Sequence, residues 1–572
     1  MGQTEKFSQL LKKMFSEWKW LFRYIKKYRL ITVAYVIIGI LSAVMSLCVS
    51  VASKHLIDAV VDLQTEKLIS FGIAVISLAV FQYVFQALSS WLISVVSSKA
   101  NNEIRSQIYS AIISSEWKNI SRFHSGELLN RLESDVTSVS NGALTFIPGF
   151  IVKSTQFIGA LIIVLYHDKL MALLALMSAP FLFLSSKFIV RSMRKYNEKM
   201  RDYNGKVLSY TQESVQNIQI IKAFDLTKEY INNFTKLLSE YRTFRLSYDK
   251  FSIIMTLCMS LIGVLVMYSC YGLGIYRLWQ GVISFGTMTM FIQLSGVLTS
   301  SFGALASMIP SAISIATSAG RIIEITSFDA EDDADREKAL QILESAKDRG
   351  VSVEFNNVSF SYEDDSAEIL KNISISISPG ETIAFIGPSG EGKTTLLKLI
   401  LGIIKPTDGK ISFSAPDGTS IDVSDSTRRF CSYVPQSVNI FSGTIADNLR
   451  LVKPEATDDE IIEMLKITDL YSLIETLPDG INTDISEHGS NFSQGQLQRM
   501  SIARALLRDS HIILMDEATS ALDVETETNV LNNIMISNPE KICIITTHRE
   551  SMLKYCNRIF KVSSNGEMTE CK

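Results

Sequence analysis

Cysteine is scarce in this 572-residue chain, seven in all, and no two fall at metal-binding spacing. Cys48, Cys258 and Cys270 lie in apolar runs and Cys431, Cys543, Cys556 and Cys571 in the C-terminal half, and free thiols are expected of all seven. Positive net charge is missing too. The 55 Lys and Arg stand against 59 Asp and Glu, a net charge of −4, and no nucleic-acid partner is expected. The basic N-terminus is followed by an apolar run of full spanning length with no small-residue cleavage site, so that run reads as an anchor and not as a signal peptide.

What is abundant is apolar. These residues make up 47% of the chain, and the excess sits in the first 320. Runs with little or no charge fall at about 31–53, 68–98, 139–166, 170–186, 252–276 and 284–320. Each is about 17 residues or longer, enough to cross a hydrocarbon core. Six such runs with polar flanks predict an all-α membrane domain of six helices, and they exclude a soluble ATPase module.

Basic residues then orient the spans. The first 29 residues carry eight Lys or Arg, and the connections at 99–138 and 187–251 are rich in them, whereas the other connections nearly lack them. Positive-inside logic places both termini and the two long loops in the cytoplasm. Lys153 stands out within the third run, with Gln156 three residues on, while Gln82 and Gln86 share a face of the second. One reading gives a polar central cavity where Lys153 meets an anionic or peptide substrate. The other has Lys153 snorkel toward the cytoplasm or bind helix carbonyls.

The second half carries two signals of phosphate chemistry. GPSGEGKTT, Gly387 to Thr395, fits G-x-x-x-x-G-K-[ST] with Gly387, Gly392, Lys393 and Thr394 in the fixed places. ETIAFIG before it reads as a strand and TTLLKLILGI after it as a helix, the context that motif requires. The loop, with Ser389, Gly390 and Thr395, would cradle ATP; Lys393 would reach the β- and γ-phosphates and Thr394 would ligate Mg²⁺. The second signal is NFSQGQLQRMSIARALLRDSHIILMDEATSALD, Asn491 to Asp523. A polar turn opens a helix, where an anion is stabilised. An apolar strand follows and ends in Asp516-Glu517, a pair suited to Mg²⁺ and to activating water.

From about Val351 onward the chain resembles the nucleotide-binding domain of ATP-binding cassette (ABC) proteins, an α/β P-loop ATPase. The resemblance rests on Tyr362 in FSY, Gln436 in YVPQSVNIFSGTIADNL, the signature Phe492 to Gln496, Asp516-Glu517, Asp523 in SALD and His548 in ITTHR. It implies that Tyr362 stacks on adenine, Gln436 reaches Mg²⁺ and the attacking water, Asp516 holds Mg²⁺, Glu517 is the general base and His548 contacts the γ-phosphate. The signature departs from the family's commonest form, LSGGQ, at Phe492 and Gln494, but Ser493 and Gly495 remain. In that family the turn acts in trans, so Ser493, Gly495, Gln496 and Asp523 would serve ATP held by a partner. Phe123 to Asp135 and Tyr210 to Phe224 resemble the coupling segments of ABC exporters.

The implied organisation is a basic segment (1–29), a transmembrane domain (30–325), a linker (326–350) and an ATPase (351–572). The acidic stretch FDAEDDADREKA within that linker reads as a solvated connection. The whole resembles an exporter-type half-transporter of a bacterial plasma membrane. It would bind ATP and Mg²⁺, sit in lipid and work as a dimer, a homodimer being simplest and a heterodimer open. Peptide, lipid and drug-like cargo all fit. Uptake of a metal chelate, or an ATP-gated channel or regulatory subunit, are the alternatives.

Overall fold

A computed structural model describes residues 16–23, 26–170, 172–173, 199–200, 203–347, 349–362, 368–388, 390–437, 439–486 and 489–571. The chain divides into two units, one of residues 1–113 and 123–327, the other of 114–122 and 328–572.

The first unit is helical. Its long helices are α1 (Arg29–Val61), α2 (Thr65–Ser114), α3 (Val136–His167), α4 (Thr227–Trp279) and α5 (Phe285–Thr326). Four of the expected runs form helices long and apolar enough to cross a membrane: Arg29–Val61, Thr65–Ser114, Ser125–His167 (α3 with the turns that lead into it) and Phe285–Leu305. The run at 252–276 lies inside α4, and most of the run at 170–186 lies outside the described residues. Ile69, Ile73, Ile76 and Val80 of α2 are exposed. An apolar stripe turned outward is unfavourable in water and suits a helix solvated by lipid.

Close packing fixes the register of α3 and α5. A Cβ at Gly142 would lie 2.4 Å from Ile315, and one at Gly149 would lie 3.4 Å from Met308. The helices therefore run antiparallel, seven residues up one matching seven down the other. The start of α5 is capped twice: the Ser284 hydroxyl accepts from the Thr287 amide, and Asp58 of α1 accepts from the Gly286 amide and the Ser284 hydroxyl. Within the segment 123–135, a short helix (Ser125–Asn130) runs into a π-helical turn (Arg131–Asp135). Arg131, only 4% exposed, is held there by Glu127 and Glu324 at 2.7 and 2.8 Å. Removing either carboxylate would leave a buried guanidinium under-paired.

The second unit is α/β. Helix α6 (Arg336–Ser345) precedes an antiparallel sheet of order β2-β1-β4-β5, built from β1 (Ser352–Phe360), β2 (Leu370–Ile377), β4 (Asp408–Ser414) and β5 (Ser420–Asp422). A second sheet, of order β12-β11-β3-β10-β9-β6, contains β3 (Thr382–Ile386), β6 (Cys431–Val434), β9 (Ile512–Asp516), β10 (Ile542–Thr546), β11 (Arg558–Val562) and β12 (Met568–Glu570). Its strands are parallel except for β12. The two-residue strands β7 (Gly443–Thr444) and β8 (Asp484–Ile485) pair separately. Every residue of β9 and β10 is buried, as expected of central parallel strands covered on both faces. Three further helices matter below: α7 (Lys393–Ile400), α8 (Gln494–Leu507) and α9 (Val524–Ser537).

The acidic stretch near 328–339 is not a purely solvated connection. Arg428 binds Glu331 at 2.7 Å and also donates to the carbonyls of Leu401 and Gly402, at the end of α7. Asp333 accepts from the Ser426 hydroxyl, and the Asp332 amide donates to Asp425. Ala339, Ile342 and Ala346 then enter the same apolar core as Phe355, Phe385 and Phe413. The alternation of charge with small apolar residues is that of a helix with one buried face, and Glu331 and Asp333 meet basic or hydroxyl partners instead of water alone.

Candidate active site

Strand β3 delivers the chain to a tight loop. Gly387, Gly390 and Gly392 hold φ of 148°, 90° and 94°. A side chain at Gly392 would also lie 2.9 Å from Ile369 and 3.0 Å from Leu370, so glycine is required there on two counts. Ser389 lies outside the described residues. Helix α7 opens on Gly392 with no side-chain cap, and among the described residues no side chain takes up the amides of its first turn, the arrangement that receives a phosphate.

Lys393, 6% exposed, folds back on the loop and donates to the Gly387 and Pro388 carbonyls at 2.6 and 2.9 Å. Burial lowers its pKa from the ordinary lysine value, against the pull of Glu517, Glu391 and Asp516. Its Nζ lies 3.2 Å from His548 Nε2, which lies 3.0 Å from Glu517 Oε1. The other oxygen of Glu517 accepts from Gln436 Nε2 at 2.7 Å. Lys393, His548, Glu517 and Gln436, four residues from four places in the sequence, thus form one unbroken chain of contacts.

Asp516, at the end of β9 and 2% exposed, accepts from three hydroxyls: Thr394 at 3.1 Å, Thr546 at 2.7 Å and Tyr433 at 3.3 Å. Burial, and secondarily the Asp516 charge, push the Tyr433 phenol well above its ordinary value, so it stays a donor. Glu517 has φ of 47°, a left-handed conformation that is strained for a non-glycine residue. Its amide is held by the carbonyl and the hydroxyl of Thr546 at 3.2 and 3.0 Å. Thr546 and Tyr433 were not legible as site residues; the only signal was their place at or near the ends of apolar strands next to the sheet's acidic edge. Tyr362 is 46% exposed and its hydroxyl is 3.3 Å from that of Thr395, which sets an open aromatic ring beside the start of α7.

The signature turn is built differently. Ser493 caps α8: its hydroxyl accepts from the Gln496 amide at 3.3 Å, and Gln496 Oε1 accepts from the Ser493 amide at 2.8 Å. A Cβ at Gly495 would lie 3.0 Å from the Ala521 carbonyl. Asp523 caps α9 by accepting from the Thr526 amide at 3.0 Å, and that bond holds its carboxyl below the usual range. Two residues that sequence reading passed over tie these parts together. Gln498, 1% exposed, accepts from the Ala521 amide and donates to the Glu517 carbonyl. Arg549 donates to the Ser520 and Leu522 carbonyls and to Glu527.

Of the four polar residues singled out in the apolar runs, the structure joins Lys153 to Gln156 at 3.0 Å. It does not bring Gln82 or Gln86 to them. Among the described residues neither glutamine side chain makes a hydrogen bond, and Gln82 offers only its backbone carbonyl, to Ser42.

Comparison with known proteins agrees with this geometry. A family model described as the ABC transporter transmembrane region matches residues 30–302, and one described as ABC transporter matches 370–520. The chain is an ABC transporter. It is 28% identical over 510 residues to YfiC, an ABC transporter ATP-binding protein of Bacillus subtilis, covering 88% of this chain and 83% of that one. It is also 28% identical over 559 residues to a Staphylococcus aureus protein named for multidrug export, an ATP-binding/permease protein, covering 96% and 95%. A bacterial Atm1-family ABC exporter with ATP bound shares the fold, with a TM-score of 0.82 at 21% identity over 95% of this chain and 94% of that one.

The transporter therefore couples ATP hydrolysis to movement across a membrane, uses Mg²⁺ and works with a partner of its own kind. Its residues fit both groups. The uncapped α7 start beside a buried lysine suits a polyphosphate. The Thr394 hydroxyl and Asp516 carboxylate, 3.1 Å apart, are hard oxygen donors of the kind Mg²⁺ takes alongside phosphate oxygens. Among the described residues no cluster of three acidic, His or Cys side chains exists that could cage a metal without phosphate.

Proposed function

We propose that this transporter is a homodimeric exporter of a bacterial plasma membrane, with both termini cytoplasmic, driven by ATP bound at Gly387 to Thr395. The observation that carries the catalytic reading is the contact chain from Lys393 through His548 and Glu517 to Gln436. It gathers a phosphate-binding cation, an imidazole, a carboxylate and an amide at one end of the parallel sheet, where α/β proteins hold their ligands.

Tyr362 stacks on the adenine and the loop amides, with Lys393, cradle the phosphates. Thr394, Asp516 and Gln436 hold Mg²⁺, which when bound neutralises charge on the β- and γ-phosphates. Glu517 takes the proton of the attacking water, fixed in orientation by Gln436 on one oxygen and by its strained, doubly anchored backbone. His548 steadies the charge that grows on the departing phosphate. Ser493, Gly495, Gln496 and Asp523 serve the partner's ATP, and the segments 123–135 and 210–224 carry the resulting movement to the spans.

Glu517→Gln tests this directly. The substitution keeps the size and the Gln436 contact but removes the base. Turnover should fall by about 10²- to 10⁴-fold, while ATP still binds with unchanged affinity in a nucleotide-displacement assay. Transport should cease with it. Wild-type ATPase activity in this variant would remove Glu517 from the mechanism.

A further inference from the structure

Lys153 is the one formally charged residue in all six apolar runs, and no Asp or Glu lies in any of them. It sits near the middle of its own run, with about as many residues before it as after. At about 1.5 Å per residue, each end of the run is about 20 Å away, and a four-carbon stem falls far short of the ~15 Å half-thickness of a bilayer core. Snorkelling therefore does not relieve it. Among the described residues its ammonium has one hydrogen-bond partner, the neutral amide oxygen of Gln156, one helical turn along the same helix. Among the described residues no carboxylate pairs with it.

The packing of α3 on α5 shows what faces this pair. Gly142 opposes Ile315 and Gly149 opposes Met308, so the next step of seven places Gln156 opposite Ser301, and the same offset places Lys153 opposite Ala304. Ser301 is 1% exposed and, among the described residues, its hydroxyl has no hydrogen-bond partner. A buried hydroxyl left without a partner is unfavourable in an apolar surround. Of the three residues that follow in α5, Gly303 and Ala304 have small side chains or none, and Phe302 packs against Phe157 beside the layer at a ring separation of 6.0 Å. The layer thus offers one uncompensated cation, one amide, one idle hydroxyl and an aromatic pair.

We infer that Lys153, with Gln156 and Ser301, is a mid-membrane site that receives the anionic group of the transported molecule, and that this cargo is an anionic amphiphile. The inference rests on the ATP-driven export reading. A charged group costly in hydrocarbon is compensated when its counter-ion arrives with the cargo, and the same field disfavours cationic cargo. Ser301 supplies a donor to the anion once it is there, and Phe157 and Phe302 give its apolar body a surface.

The test uses the full-length transporter in liposomes, with taurocholate as the anionic probe and tetraphenylphosphonium as the cationic one. Wild type should accumulate taurocholate in an ATP-dependent way and show taurocholate-stimulated ATPase activity, with little response to the cation. Lys153→Gln should raise the half-maximal taurocholate concentration about tenfold or more, the effect of losing a charge-assisted hydrogen bond, and Lys153→Arg should largely restore it. Lys153→Met removes a charge from the hydrocarbon and so does not threaten insertion. Mg·ATP should raise its Tm as it raises that of wild type, which separates loss of the site from loss of the fold. Taurocholate accumulation that needs Glu517 but ignores the charge at position 153 would overturn this inference alone. So would a wild type that responds to tetraphenylphosphonium and not to taurocholate. Taurocholate accumulation that survives Glu517→Gln would instead overturn the export reading.

Discussion

Helices α7 and α8 are both tied to the acidic end of β9, yet they begin in opposite ways. Thr394 of α7 binds the side chain of Asp516, and Gln498 of α8 binds the backbone of Glu517. Helix α7 starts on a left-handed glycine with no side-chain cap. Helix α8 starts on a reciprocal Ser493–Gln496 box, so two amides at its start are already taken. The first arrangement leaves donors open for a ligand from outside the chain, at a cost in local strain and stability. The second is satisfied by itself, and so can hold its shape as a surface presented to a second molecule. On the proposed reading an open start and a closed one divide the work: α7 would grip the chain's own nucleotide and α8 would offer a preformed face to the partner's.

The contrast breaks most sharply at glycine. Gly392→Ala must adopt a left-handed backbone and crowd Ile369 and Leu370. We expect a loss of about 2 kcal/mol or more, seen as a lower Tm of the full-length protein, together with loss of the stabilisation that Mg·ATP confers on wild type. Gly495→Ala, by contrast, sits in ordinary helical backbone with one contact of 3.0 Å to the Ala521 carbonyl. Its Tm should fall less, and Mg·ATP should still raise it, while turnover drops because the face shown to the partner has changed. Equal stability losses in the two variants would undo the distinction between an open and a closed helix start.

Ser493→Ala is the next step down. It opens the closed start, and the loss of an N-cap costs about 1 kcal/mol. For an ATPase unit of this size that is a Tm drop of about 2–4 °C. ATP affinity at the chain's own loop should not change, since α7 is untouched. A variant that loses ATP binding along with the cap would mean that the two starts are not separable.

Much of this was legible in the sequence, for a physical reason. The loop from Gly387 to Thr394 and the pair Asp516-Glu517 are local patterns whose chemistry depends on residue type and spacing, so they could be read before any contact was known. Long charge-free runs announce spans in the same way. What could not be read depends on contacts between distant segments. Thr546 and Tyr433 hold Asp516 and Glu517 only because parallel strands bring residues 433, 516 and 546 side by side. Gln498 and Arg549 clamp the turn after Glu517 from elements before and after it. The acidic stretch misled for the same reason: its charges looked solvated until Arg428, nearly a hundred residues away, was seen to pair with Glu331. In the membrane unit Lys153 was visible as an oddity, but Ser301 was one serine among many until helix register set it opposite Gln156.

The smallest expected effect falls on α9, which sharpens the comparison because its cap is ionisable. Asp523 accepts from the Thr526 amide, and this bond lowers its folded pKa below that of a free aspartate. A depressed folded value means that the carboxylate adds stability above the unfolded pKa of about 3.9, and that this contribution is lost as pH falls through the folded value. Asparagine caps nearly as well but does not titrate. Asp523→Asn should therefore lower the Tm by less than Ser493→Ala does, by a constant amount between pH 6 and 8, and the gap should close below about pH 4. A gap that persists unchanged into acid would show that the carboxylate's charge adds nothing to the cap. It would also place α9 with α8, among helices held by hydrogen-bond geometry alone.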